Sequence, residues 1–375
     1  MKLIRIVFSL IVCSAAIILI FSGNNERGYV ELNDIPERSK KKEISSLNND
    51  RITVGFSIAS LQEERWLIDR DIFVTKCNEL GADVIVQSAN GDADLQIEQC
   101  SKLLTQGIDV LVIISQDCQK SSVVVNEANK LNIPVVAYDR LILDSYVDAY
   151  ISYDNEEIGK LQAKYLVERA PKGNYIVLGG DSADYCSIQI EKGNMEILQP
   201  YIDRGDINII EKQWVKDWNP SIAKTIVENV LMVNKDIKAI LTPNDGTAGG
   251  AIQALAEYKL AGEVLVTGQD ADLAGCQRIV EGTQSMTVYV PIKAEAEANA
   301  EAAIKLAKGE NFIGNSKVYN GRMYVPALIL APILVDKENI IDTVIMDGYR
   351  KFEEVFNNIP RDKWPNYQKT KRKIQ

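Results

Sequence analysis

Histidine is absent from all 375 residues. With it go the commonest general base, the commonest side chain titrating near neutrality and the commonest transition-metal ligand. A Ser/His/Asp hydrolase is thereby excluded. The cysteines Cys13, Cys77, Cys100, Cys118, Cys186 and Cys276 are scattered with no Cys-x-x-Cys pair. They read as small core residues rather than a zinc site or a disulfide framework. Positive charge is also short, with Lys+Arg 42 against Asp+Glu 52 and a formal net charge of −10. Phosphate contacts need a basic face, so nucleic acid is not an expected partner. No phosphate-binding loop is evident, and neither a cofactor nor a metal is called for.

What is present begins with a long apolar run, "MKLIRIVFSLIVCSAAIILIFSG", in which Lys2 and Arg5 precede an uncharged Ile6–Phe21. It reads as an export signal, which places the rest of the chain outside the cytoplasm. The run continues through "AIILIF" past Ser14-Ala15-Ala16, where a cleaved signal would end. It is long enough to cross a bilayer core of roughly 30 Å. A lipoprotein reading at Cys13 fits poorly, because a small residue should precede the cysteine and a polar segment should follow it. The expectation is an uncleaved transmembrane anchor over residues 1–22, positive flank inside, and a cell-membrane location with the globular part extracytoplasmic. Residues 23–50 are polar and without apolar periodicity, a flexible linker.

Beyond residue 50 short apolar runs alternate with amphipathic helical patterns. The runs are "ITVGFSIA", "ADVIVQSA", "DVLVIIS", "PVVAYD", "AYISYD", "YIVLGG", "INIIEKQWV", "KAILTPND", "EVLVTGQD" and "SMTVYVP". Most are continuously apolar, as in parallel strands covered on both faces. The intervening patterns, such as 94–106 and 156–170, complete a β-α-β series of doubly wound α/β type. Ten strands suit two lobes better than one open sheet. The polar segment 351–375 reads as a C-terminal extension, frayed at the surface or docked to a partner.

Open α/β sheets bind ligands at the carboxyl ends of their strands. Those ends carry Asp139-Arg140, Asp154-Asn155, Asn244-Asp245 and Gln269-Asp270 with Asp272, while Trp66 follows the first strand and Trp218 precedes a helix start at Asn219-Pro220. Planar carboxylates, amides and guanidinium groups offer paired donors and acceptors at the spacing of vicinal hydroxyls. Indole faces accept the C–H face of a sugar ring. The combination suggests a neutral sugar. Each element has a plainer explanation. Asp or Asn after a strand is often only a helix cap, as Asp154, Asp245 or Asp272 could be. Trp66, Phe73, Cys77 and Leu80 fall on one helical face, although Asp69 and Arg70 occupy places that a buried stripe would fill with apolar residues. Periodicity leaves Trp66 open between core and display.

The stretches "ERWLIDRDIF", "VQSANGD", "DVLVIIS", "AYDR", "YISYDNE", "GNYIVLGG", "NDGTAGGAIQAL", "GQDADLAG" and "GTQSMTVYVPI" resemble the D-xylose-binding proteins of bacterial sugar uptake, in the periplasmic-binding-protein type I superfamily. The resemblance runs in order over residues 51–347. It implies two Rossmann-like lobes joined by three crossover segments with the ligand in the cleft between them. The N-terminal lobe would be 51–157 and 291–327, the C-terminal lobe 158–290 and 328–350. The sugar contacts it implies are Arg65, Trp66, Asp139, Arg140, Asn155, Trp218, Asn244 and Asp270, with Trp66 displayed to the sugar. One departure is the loop after "GG", where the family has an amide-rich segment with a basic residue and this chain has Tyr185-Cys186-Ser187 and Glu191.

The function expected is a membrane-anchored D-xylose receptor, not an enzyme, that closes on the sugar and presents the closed form to a membrane partner. The fixed anchor and the altered loop favour a sensor histidine kinase as that partner. The alternative is an ABC permease, with the chain as the binding component of a xylose importer. A homodimer or a heteromeric complex is compatible with either. A glycosidase built on Asp139 and Asp270 is the remote alternative. A LacI-type repressor, which shares the core, would need an N-terminal helix-turn-helix where this chain has an apolar run.

Overall fold

The computed structural model describes residues 51–365. The anchor and linker expected over residues 1–50 lie outside the described residues, as does the chain beyond 365. The apolar runs become strands where expected. β1 (Ile52–Ile58), β2 (Ala82–Ser88), β3 (Val110–Ile114), β4 (Val135–Tyr138) and β5 (Ala149–Tyr153) alternate with α1 (Glu64–Glu79), α2 (Ala93–Thr105) and α3 (Ser122–Lys130). After α4 (Asn155–Arg169) the series resumes with β6 (Gly173–Gly179), α5 (Tyr185–Asp203), β7 (Ile207–Trp214), α6 (Pro220–Val233), β8 (Ala239–Leu241), α7 (Asp245–Glu257), β9 (Leu265–Val266), α8 (Leu273–Glu281) and β10 (Met286–Tyr289). Helix α9 (Ile292–Ala307) leads to β11 (Ser316–Tyr319), β12 (Tyr324–Leu330), β13 (Ile333–Asp336) and a short α10 (Phe352–Val355).

Two main sheets result. A seven-stranded sheet runs β11-β12-β5-β4-β3-β1-β2, parallel except for the antiparallel β11–β12 pair. A four-stranded parallel sheet runs β7-β6-β8-β9, and β10 pairs with β13 antiparallel beside it. In both sheets the order reverses beside the first-formed strand, which opens a crevice at the strand ends. All residues of β3, β4 and β5 are buried, which is why those runs carry no polar alternation. Strands β11 to β13 were not read from the sequence. They are short and partly exposed, and Pro326 interrupts the longest of them.

Helix α9 packs on α1 and over the first sheet, so the chain returns there after building the second sheet. Helices α4 and α5 cross closely at two glycines. A Cβ on Gly159 would lie 2.0 Å from the Ile190 carbonyl oxygen, and one on Gly193 would lie 2.0 Å from that of Glu156. The C-terminal extension is ordered as far as it is described. Phe352 stacks on Phe356 and meets Trp364 edge-on, and these aromatics share a core with Ile279 and Val280 of α8. The five described cysteines are free and buried, in keeping with their reading as core residues.

Candidate functional site

Arg65, in the first turn of α1, is 3% exposed and is surrounded by acids. Its Nε donates to Asp69 Oδ2 at 3.3 Å. Its Nη2 donates to Asp139 Oδ2 and Glu295 Oε2, both at 3.0 Å, and its Nη1 to Asp270 Oδ1 at 3.4 Å. Asp139 follows β4 and Asp270 follows β9, so one guanidinium ties strand ends of both main sheets. Burial opposes the charge on Arg65, but Asp139, Asp69, Asp270 and Glu295 together hold its proton more firmly than usual. Among the acids, burial pushes Asp69 up to about 6 against the pull of Arg65 and of the Tyr138 hydroxyl, which donates to Asp69 Oδ1 at 2.5 Å. Glu295 is pushed well above the carboxylate range by burial and by Asp139. Burial thus favours the neutral forms of Asp69 and Glu295, and Arg65 opposes it.

A second charged pair crosses the cleft. Arg140 Nε lies 2.8 Å from Asp184 Oδ2, and the same oxygen accepts Trp218 Nε1 at 3.2 Å. Arg140 Nη1 donates to the Ser115 carbonyl at 3.2 Å. The Trp66 ring has the Arg65 guanidinium 4.1 Å from its centroid and that of Arg140 at 5.3 Å. Trp66 is 2% exposed and belongs to the first core cluster with Phe56 and Phe73, so it serves the core as well as meeting the cleft groups. Trp218 lies on Gly180, where a Cβ would come within 2.5 Å of the ring. Asn155 Nδ2 reaches Ser152 Oγ and Cys186 Sγ, both at 3.3 Å, and the Cys186 thiol donates to the Asp139 carbonyl at 3.1 Å.

Asn244 caps α7 by accepting from Thr247 N at 2.9 Å, while its Nδ2 reaches across to Glu63 Oε2 at 3.4 Å. The other Glu63 oxygen accepts Trp66 Nε1 at 3.1 Å. Burial raises the Glu63 carboxyl to about 7, opposed by Arg140 and assisted by Asp270. Asp154 is a cap, accepting from Glu157 N at 3.0 Å. The cap of α7 is Asn244 rather than Asp245, which instead anchors Gln284 and Thr287. Asp272 stands at the N-cap of α8 without making a cap bond.

Three of the eight sugar-contact candidates have left-handed backbones: Asp139 at φ 61°, Trp218 at φ 53° and Asp270 at φ 90°. Such strain in residues other than glycine concentrates where side chains must be aimed. Arg140, Trp218 and Asn244 line a cleft of about 350 Å³ together with Glu63, Gln62, Asn90 and Asp272. That volume is at the small-ligand end of binding sites. Arg65, Trp66, Asp139, Asn155 and Asp270 are buried beside these groups. Sequence reasoning missed Glu63, Asp69, Asp184, Cys186 and Glu295 as partners. Only the Arg65/Asp69 spacing of i,i+4 on one helix gave a local signal. Among the described residues no group of His, Cys, Asp and Glu side chains is arranged to hold a metal ion.

Residues 54–311 match the family model described as "Periplasmic binding protein domain". The D-xylose-binding periplasmic protein of Escherichia coli is 48% identical over 81% of this chain and 92% of its own length. That of Haemophilus influenzae is 47% identical over 84% of this chain and 95% of its own. Among solved structures, an ABC transporter solute-binding protein from Clostridium phytofermentans with bound β-D-glucose aligns with a TM-score of 0.75 at 27% identity. It covers 81% of this chain and 99% of that one. These relatives are binding proteins, and the reading of a sugar-binding protein rather than an enzyme stands on them. The expected cell-membrane location is corrected. The xylose-binding relatives are periplasmic, and no helix among the described residues is long and apolar enough to cross a membrane. The D-xylose-binding relatives give the sensor-kinase partner no support. The chain belongs to the periplasmic-binding-protein family, alongside the D-xylose-binding proteins.

Proposed function

We propose that the chain is the sugar-binding component of an ABC importer, with D-xylose as its ligand and an ABC permease as its partner. The observation that carries this reading is the Arg65 hub, where acids from both main sheets converge on one guanidinium beside the Trp66 ring. Two lobes, 51–157 with 291–327 and 158–290 with 328–350, close around the sugar. Arg65, Asp139, Arg140, Asn155, Asn244 and Asp270 take its hydroxyls, and Trp66 and Trp218 its apolar faces. A hydroxyl both donates and accepts, so it can bridge a carboxylate and a guanidinium that are already held in place. Xylose-binding relatives at 47–48% identity support the ligand, and a solute-binding protein of an ABC transporter supports the partner class.

The test is calorimetric titration of the full chain with D-xylose, D-ribose, D-glucose and L-arabinose. Binding of D-xylose with micromolar or tighter affinity, about −8 kcal/mol, is expected. Flat traces for all four sugars overturn the reading. In a deletion strain, xylose uptake should fall. Normal uptake with lost induction of xylose genes would contradict the importer role.

A further inference from the structure

Glu63 immediately precedes α1, in the N-cap position, yet makes no cap bond. Its carboxyl is turned to the cleft instead, where it accepts Trp66 Nε1 from the first half and Asn244 Nδ2 from the second. Both donors belong to the proposed sugar-contact set. Each carboxylate oxygen has two lone pairs, so one acceptor direction on each remains for a ligand. The charges of Arg140, Asp270 and Arg65 all act on Glu63, which places it among the sugar-binding groups.

The guanidinium groups around it already have acidic or carbonyl partners. Arg65 is held by four acids and Arg140 by Asp184 and the Ser115 carbonyl. What the cleft has left to offer at this edge is an acceptor, and the matching ligand group is an O–H donor. We propose that Glu63 is a specificity-determining residue that accepts one hydroxyl of the bound sugar, at the carbon held between Trp66 and Asn244, and discriminates against sugars lacking it. This rests on the receptor reading above.

The test is a thermodynamic cycle. The full-length wild type, Glu63→Leu and Glu63→Gln are titrated with D-xylose and with each of its monodeoxy analogues. One analogue should lose roughly tenfold or more in affinity for the wild type, as expected when a buried hydrogen-bonding group loses its partner. Its penalty should shrink to about twofold or less in Glu63→Leu. Glu63→Gln, which keeps one carbonyl acceptor, should fall between the two and carries the same comparison if Glu63→Leu does not fold. A role confined to packing Trp66 would weaken all sugars alike. Equal penalties for every analogue in all three proteins overturn the inference while leaving the receptor reading intact. A wild type that binds none of the sugars overturns both.

Discussion

Glu64 and Arg350 meet at 2.5 Å, joining the first turn of α1 to the segment that follows β13. The guanidinium is fixed from behind, with Nε on the Ala271 carbonyl at 2.9 Å and Nη2 on the Tyr349 hydroxyl at 3.0 Å. Glu64 also accepts the Leu273 amide at 3.4 Å. Glu64 is therefore held twice by the far side of the cleft without belonging to the sugar-contact set.

This contact should act on the lifetime of the closed form. Glu64→Gln removes the charge but keeps an acceptor, while Glu64→Ala removes both. Stopped-flow tryptophan fluorescence should show sugar dissociation about three- to tenfold faster in Glu64→Ala, with the association rate nearly unchanged. An unaltered dissociation rate would mean the pair contributes nothing to closure.

Arg65 should be required for the fold as well as for the ligand. Its removal leaves Asp69, Asp139, Asp270 and Glu295 without their shared cation. Breaking a buried pair by deleting one partner typically costs about 3–5 kcal/mol. Arg65→Met should show a loss of that order in urea unfolding at neutral pH. The loss should lessen at lower pH as Asp69, Asp270 and Glu295, whose carboxyls burial raises, protonate.

Sugar affinity should depend on pH through Glu63. In this structure burial raises its carboxyl to about 7 from an ordinary 4.5. A solvated Glu63 in an open form would titrate near the ordinary value, so closing takes up a proton between the two. Affinity is then greatest below about pH 4.5 and declines as pH rises through 7. Arg140, Asp270 and Arg65 set the size of the effect. Titrations from pH 5 to 8 should show a several-fold decline in the wild type that is absent in Glu63→Gln.

Trp66 and Trp218 should differ in what they cost. Trp66 is nearly fully buried among Phe56, Phe73 and Tyr138. Trp66→Ala should lose about 3–5 kcal/mol of stability along with sugar binding. Trp66→Phe keeps most of the apolar volume and isolates the indole N–H bond to Glu63. Trp218, at the cleft wall, should give the cleaner binding defect when changed to Ala. Thermal unfolding with and without sugar separates the two effects.

Ten strands were legible in the sequence, most plainly β3, β4 and β5, where burial on both faces makes a parallel strand a continuous apolar run. The strands that escaped, β11 to β13, carry half-buried or exposed residues that break the apolar run. The candidate site was proposed from its strand ends, since Asp139, Asn244 and Asp270 come after apolar runs. Asp69 shows the limit of that reading. A polar residue on an otherwise apolar helical face argues against burial, yet Asp69 is fully buried because Arg65 and Tyr138 compensate it. Glu295 sits in "IKAEAEANAEAA", which reads as an ordinary solvated helix. Only the return of α9 to the first sheet brings it to Arg65, 230 residues earlier.

That return has a consequence for how the molecule is made. β5 takes β12 as its neighbour, and β12 ends at Leu330. Until that part of the chain has been synthesised, β5 carries a bare hydrogen-bonding edge, although Asp270 and Glu295, the last acids to join Arg65, have already been made. An edge of this kind is a template for mispairing. The charge cluster can therefore be complete before the first sheet is, since β12 follows Glu295 in the chain. A chain cut short between residues 295 and 324 would hold every acid of the Arg65 cluster and still be left with an open sheet edge.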